Sequence, residues 1–276
     1  MSGGKKDRAL DMMTLVGGIG GTGAICVAHV VEGGYMSQLL QPGAFLIVFI
    51  GTLMCVVLQF SGADMRVALN DSLELLMPQV VDLEATVEQI MELAKLARRK
   101  GMVAIDREVQ GLDDPFLKQA MGMAADGIEP KALRESLERR KDTLSHEAHL
   151  AGHYWTALGG FAPTIGVLGA VLGLMHVMAH LDDPNKLGAG IAVAFVATVY
   201  GVGGANLLFL PMGGKLAMRA DNRMKRLEVI IEGTCSIASG ENPMITEQKL
   251  NAFLHSHGGA EKGADGGGGK GAEAAA

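Results

Sequence analysis

Four stretches of the chain carry no Asp, Glu, Lys or Arg, and the segments between them carry apolar residues at helical spacing. The first runs from Met12 to about Val31 (MMTLVGGIGGTGAICVAHVV) and the second from Gly43 to about Phe60. The third runs from Trp155 to Leu181, with His176 and His180 as its titratable groups, and the fourth from Leu187 to Gly214. Roughly 20 apolar residues in a helix cross the hydrocarbon core of a bilayer, so each run predicts a membrane-spanning helix. Buried helices of a soluble domain are the alternative, and four such runs in one chain weigh against it. No convincing cleavage site follows the first run before Glu32, which is read as a span and not as a signal peptide.

Orientation follows from the basic residues in the connections. The N-terminal tail has three (Lys5, Lys6, Arg8), and the segment from Glu32 to Pro42 has none. The segment between spans two and three has twelve, that between spans three and four has Lys186 alone, and the C-terminal tail has eight. The split predicts cytoplasmic termini and a cytoplasmic middle segment. That segment reads as helical: Leu83, Val87, Ile90 and Leu93/Ala94 fall on one stripe within a long stretch ending near Gly111. Phe116 to Met123 predicts a short helix, and Pro130 to about His153 a charged helical arm leading back to the membrane. The expected organisation is a cytoplasmic N-terminus (1–11), spans one and two (12–60), a cytoplasmic helical domain (61–154), spans three and four (155–214), a cytoplasmic helical region (215–257) and a disordered Gly/Ala-rich tail (258–276). The fold class is an all-α membrane protein with four transmembrane helices and one large helical cytoplasmic loop between spans two and three.

Composition agrees. Of 276 residues, 49% are apolar but only 20% charged, against about 25% in soluble domains. Aromatic residues make up 4%, while Gly numbers 39, a balance that suits closely packed membrane helices. The net charge of −6 excludes the basic surface that nucleic acid needs. Cys26, Cys55 and Cys235 are too scattered for a disulfide framework or a zinc cluster.

No carboxylate lies inside any run. Proton or sodium movement usually needs an intramembrane ionisable group, so a conducting role would require one from a partner helix or another copy. Span three holds Pro163 and span four Pro211, both placed in the cytoplasmic half. Proline bends a membrane helix and frees a carbonyl, as a packing kink or as a hinge beside an ion path. Small residues recur on one face of each helix: Pro163, Gly166, Ala170 and Gly173 in span three, and Ala194, Thr198, Gly201 and Ala205 in span four. Gly18 to Gly23 match G-x-G-x-x-G, but inside a span without a βαβ unit the match reads as helix packing. His146, His149 and His153 share a helical face, as do His176 and His180; a metal site and a plain interfacial face are the two readings. No nucleophile has a base beside it, so an enzyme is not expected and no cofactor is implied.

The stretch APTIGVLGAVLGLMHVMAHLDDPNKLGAGIAVAFVATVYGVGGANLLFLPMGGKL (Ala162 to Leu216) resembles spans three and four of the MotA/PomA family of bacterial flagellar stator proteins, which are distantly related to the ExbB/TolQ energisers. ARRKGMVAIDRE (Ala97 to Glu108) is similar to the family's cytoplasmic motif, with Asp106 where Glu is usual, and His29 to Leu53 also fits. The resemblance covers Asp11 to about Ile237.

The resemblance implies a pentamer in the inner membrane around two copies of a single-span MotB/PomB-type partner. That partner supplies the ion-binding aspartate, and the cytoplasmic loop engages the rotor protein FliG. It also implies that Pro163, Thr198 and Pro211 belong to the ion pathway and its gating. Arg98 and Asp106 correspond to the charged rotor-contacting pair, with Arg99 and Glu108 as added charges. Sodium-type relatives carry a threonine at the position of Ala170, which offers no side-chain oxygen, so the transported ion is expected to be H⁺ and not Na⁺. An ExbB/TolQ-like energiser of another envelope machine and a structural membrane scaffold are the alternatives.

Overall fold

The computed structural model describes residues 11–75, 81–181 and 184–262. These residues are helical, with no strand among them. Eleven α-helices are described: α1 (Met12–Val31), α2 (Pro42–Phe45), α3 (Gly51–Gln59), α4 (Gly62–Ser72), α5 (Leu83–Lys100), α6 (Met102–Val109), α7 (Pro115–Ala125), α8 (Pro130–Met178), α9 (Pro184–Gly203), α10 (Leu210–Ala238) and α11 (Pro243–Lys262). They fall into two units. One holds the described residues of Met1–Gln79 and Ser145–Asp221, the other those of Val80–Leu144 and Asn222–Ala276.

The first unit contains the apolar runs. Four helical stretches are long and apolar enough to cross a membrane: Met12–Val31, Met36–Gln59, Pro130–Met178 and Leu187–Ala238. α1 matches the first predicted span and buries none of its residues. Asp11 caps it, accepting from the Thr14 N–H at 3.1 Å, which satisfies one of the donors a helix start leaves free. The second span is α2 and α3 joined by a π-helical turn, Leu46–Ile50. It packs on α9 through Ala44, Val48, Val196 and Ala197. Large apolar side chains such as Ile19, Leu58, Met175 and Phe195 remain exposed; lipid solvates them at no cost, whereas water would not. Four aromatic residues, Phe60, Tyr154, Trp155 and Phe209, meet in one cluster, and the Trp155 indole N–H donates to Ser72 Oγ at 2.7 Å. Residues 61–75 and 145–154, expected in the cytoplasmic domain, belong to this unit.

The second unit is a helical domain with its own core. Ile90, Leu117, Met121, Leu133, Leu137, Ile230 and Leu250 are fully buried in it. The expected α5 stripe of Leu83, Val87, Ile90, Leu93 and Ala94 joins this core. Asp114 caps α7, accepting from the N–H groups of Phe116 and Leu117 at 2.7 and 2.9 Å, and its other oxygen takes Arg226 at 2.6 Å.

Three boundaries differ from expectation. The helical stretch read up to a break at Gly111 is already parted into α5 and α6 at Gly101, whose φ of +79° suits glycine alone. The charged arm and span three are one helix, α8. The C-terminal region continues helically to Lys262 in α11, past the start of the expected disordered tail at Gly258; residues 263–276 lie outside the described residues.

Candidate functional site

α8 and α9 run antiparallel and meet along a seam of small residues. A Cβ on Gly166 would stand 2.9 Å from the Ala197 carbonyl oxygen and 3.1 Å from Gly201 Cα, and one on Gly173 would stand 2.8 Å from the Ala194 nitrogen. Glycine at these positions permits the close approach. The two predicted small-residue faces share Gly166, Gly173, Ala194 and Gly201 with the seam. Ala162, Gly169 and Ala197 complete it and were missed, because Pro163, Ala170 and Thr198 fit the same spacing.

Those three lie beside the seam, each one step after a seam residue: Pro163 after Ala162, Ala170 after Gly169, Thr198 after Ala197. One step turns an α-helix about 100°. In antiparallel helices that step turns both chains toward the same side of the pair. The step in the other direction leads to Val196, which is buried against Ala44 and Val48 of the second span. Pro163, Ala170 and Thr198 therefore share the side that faces away from that span. Around them Val167, Leu174, Ile191, Phe195 and Val202 are exposed. The Thr198 hydroxyl donates to the Ala194 carbonyl at 3.4 Å, so its oxygen keeps acceptor capacity. Ala170, at the same level, contributes no ligand atom.

The two prolines part company. Pro163 sits inside α8, and the Thr164 hydroxyl beside it donates to the Phe161 carbonyl at 2.8 Å. Pro211 follows a π-helical turn, Gly204–Phe209; a proline ring clashes with the carbonyl four residues back, and the wider turn relieves it. Pro211 lines a cavity of about 470 Å³ with Met13, Thr14, Gly17 and Gly18 of α1. It is not brought onto the Thr198 side.

At one end of that cavity Asp11 accepts from Lys215 Nζ and Arg219 Nη2, each at 2.6 Å. The Lys215 hydrogen bond holds the Asp11 carboxyl below the usual carboxylate range, against the opposing effect of burial. No periodicity links positions 11 and 215, so sequence reasoning had no signal for this cluster.

In the second unit Arg98 and Arg99 end α5, while Asp106 and Glu108 lie on α6, beyond the Gly101 break. All four are exposed. Among the described residues none of them forms an ion pair with another. Val103 stands between them, 84% exposed. No sequence pattern singles out Val103, and its exposure is what sets it apart.

The histidines do not converge on a metal. His149 contacts the Ser145 carbonyl and Asp221, and His176 stacks on His180 with ring centroids 4.5 Å apart. Among the described residues no group of three ligand-type side chains converges. Gly18 to Gly23 lie within α1, which is no place for a dinucleotide turn.

Motility protein A of Bacillus subtilis (strain 168) is 33% identical over 252 residues, 89% of this chain and 91% of that protein. The chain belongs to the motility protein A family. Residues 108–229 match the MotA/TolQ/ExbB proton channel family. Motility protein A of Helicobacter pylori (strain ATCC 700392 / 26695) is 32% identical over 89% of this chain and 95% of that protein. The structure of C. jejuni MotAB superposes with a TM-score of 0.83 at 33% identity, covering 89% of this chain and 96% of that one. The flagellar MotAB stator complex of Bacillus subtilis gives 0.80 at 32% identity, covering 92% and 100%. The matched family is a channel family and not an enzyme family, and the four apolar helices of the chain make it a membrane protein.

Proposed function

We propose that the chain is a stator subunit of the bacterial flagellar motor, forming with a MotB/PomB-type partner a proton path whose ion flow drives torque on the rotor. One observation carries this reading: the α8–α9 pair presents an open apolar side with the Thr198 oxygen on it and no carboxylate. A single partner helix laid on that side brings the missing acid, and an acid needs an acceptor of the Thr198 kind within reach.

In this reading several copies, five by family resemblance, surround two partner spans. Pro163 bends α8 beside the path, and Pro211 shapes the end of α10's span from its other side. The exposed charges Arg98, Arg99, Asp106 and Glu108 meet FliG. Exposed pairs contribute about 0–1 kcal/mol each, so they set register and steering more than affinity. Both termini and the second unit lie on the cytoplasmic side of the inner membrane, as the 23-to-1 division of Lys and Arg supports. Ala170 favours H⁺ over Na⁺, because a dehydrated sodium ion needs oxygen ligands.

The test is the swimming speed of cells whose sole stator contains this chain, with external sodium varied at fixed pH and the proton gradient then collapsed by an uncoupler. Speed independent of sodium and lost with the proton gradient is the expected result. Speed that tracks sodium overturns the ion assignment. Swimming that persists without the chain overturns the stator reading in favour of an energiser of the ExbB/TolQ kind.

A further inference from the structure

The cavity beside α1 has features the ion path does not use. It is lined by Met13, Thr14, Gly17, Gly18, Leu207 and Pro211, with Lys215 at its polar end. Met13 is 81% exposed, and Gly17 and Pro211 are exposed as well, so the apolar wall opens sideways into the bilayer. Lys215 follows the fourth charge-free run directly and Asp11 precedes the first, which puts the polar end at headgroup depth.

The dimensions and charge fit one occupant. The volume of about 470 Å³, at roughly 30 Å³ for each water-sized unit, accommodates the length of one acyl chain. The Lys215 ammonium has three donors. Asp11 and Thr14 take two, and the side chain is still 31% exposed. Basic pockets between membrane helices select anionic headgroups.

We infer that this cavity is a binding site for an anionic phospholipid, with one acyl chain along Gly17, Gly18 and Leu207 and the phosphate on Lys215. The site needs only that these helices cross a bilayer, so it stands apart from the stator reading.

Trp155, the single tryptophan of the chain, packs with Leu75 and Met212, which line the cavity, and serves as the reporter. The full-length chain is reconstituted in phosphatidylcholine vesicles containing either brominated phosphatidylglycerol or brominated phosphatidylcholine, and tryptophan quenching is compared at equal mole fraction. Brominated phosphatidylglycerol is expected to quench at about fivefold lower mole fraction, the selectivity of one basic side chain near the surface. Gly18→Leu fills space where a Cβ meets nothing within 4 Å and removes the quenching by both lipids. Lys215→Gln removes the preference but not the quenching. Equal quenching by the two lipids in the unaltered protein overturns the site. No quenching by either, which is the outcome if a second copy or a partner helix covers the cavity, overturns it too. The comparison of the two lipids in the unaltered protein decides the matter even if a variant fails to fold.

Discussion

Gly166 and Gly201 meet backbone to backbone: a Cβ on Gly201 would lie 3.0 Å from Gly166 Cα and 2.5 Å from the Ala162 carbonyl oxygen. Neither neighbour is the flexible end of a side chain, so the helices themselves must part to admit a methyl group. Overpacking of this kind costs about 1–3 kcal/mol. Gly201→Ala is expected to lower the thermal midpoint of the purified complex and the swarm diameter on soft agar. Gly203→Ala, where a Cβ meets nothing within 4 Å, is expected to leave both unchanged. Equal effects at the two positions would show that the seam is not the constraint.

Ala170 and Thr198 share one side of the α8–α9 pair at one level. Ala170→Thr adds an oxygen beside the Thr198 oxygen and is expected to make swimming speed respond to external sodium. Thr198→Ala removes the acceptor and is expected to reduce motor speed at least tenfold, with Thr198→Ser restoring most of it. Speed measured on tethered cells across a sodium series checks all three.

Arg98 and Asp106 are exposed and make no ion pair with each other among the described residues, so their replacement touches stability by no more than about 0.5 kcal/mol. Arg98→Glu and Asp106→Lys are expected to abolish swimming while membrane levels and complex assembly persist. Asp106→Glu retains the charge and is expected to swim. Loss of assembly in the charge reversals would place these residues in folding instead of rotor contact.

The ring nitrogens of His149 stand 2.7 Å from the Ser145 carbonyl oxygen and 3.0 Å from Asp221 Oδ1. Both are acceptors, and only the imidazolium form has two N–H groups to give. The Ser145 carbonyl foremost, and the Asp221 carboxylate, raise the His149 pKa above its ordinary 6.5. A raised pKa in the folded state stabilises fully below the unfolded value and is lost as pH rises through the folded one. Thermal stability of the purified protein is therefore expected to decline as pH climbs above 6.5, with a shallower decline in His149→Gln. Parallel profiles for the two proteins would remove His149 from the account.

Thr52 is 1% exposed and its hydroxyl has no partner among the described residues. An unmet buried hydroxyl costs about 1–3 kcal/mol. Thr52→Val is expected to raise the thermal midpoint; a fall of similar size would mean that the hydroxyl is satisfied in the assembled complex.

The four membrane helices were legible because a bilayer demands long charge-free runs, and such runs show in one dimension: Met12 to Val31 coincides with α1 residue for residue. The core stripe of α5 was legible for a similar reason, since its period is local. The family-matched residues Pro163, Ala170 and Thr198 could be named from sequence, but not their common side. That depended on which small residues formed the seam, and the spacing of Gly166 and Gly173 fits two neighbouring faces equally well. Only the antiparallel pairing with Gly201 and the second span's packing on Val196 chose between them. Pro211 stands apart from that group because thirteen helical residues separate it from Thr198, which at about 100° each carries it round to another side of the span, where it lines the α1 cavity. The break at Gly101 likewise needed the fold: glycine is tolerated within a helix, and the positive φ arises only when Ile105 and Val109 turn back onto the core that Ile90 shares. The ion pairs of Asp11 with Lys215 and Arg219 join residues some two hundred positions apart. Their charges are visible in the sequence, but the contact exists only once the first helix lies against the last span.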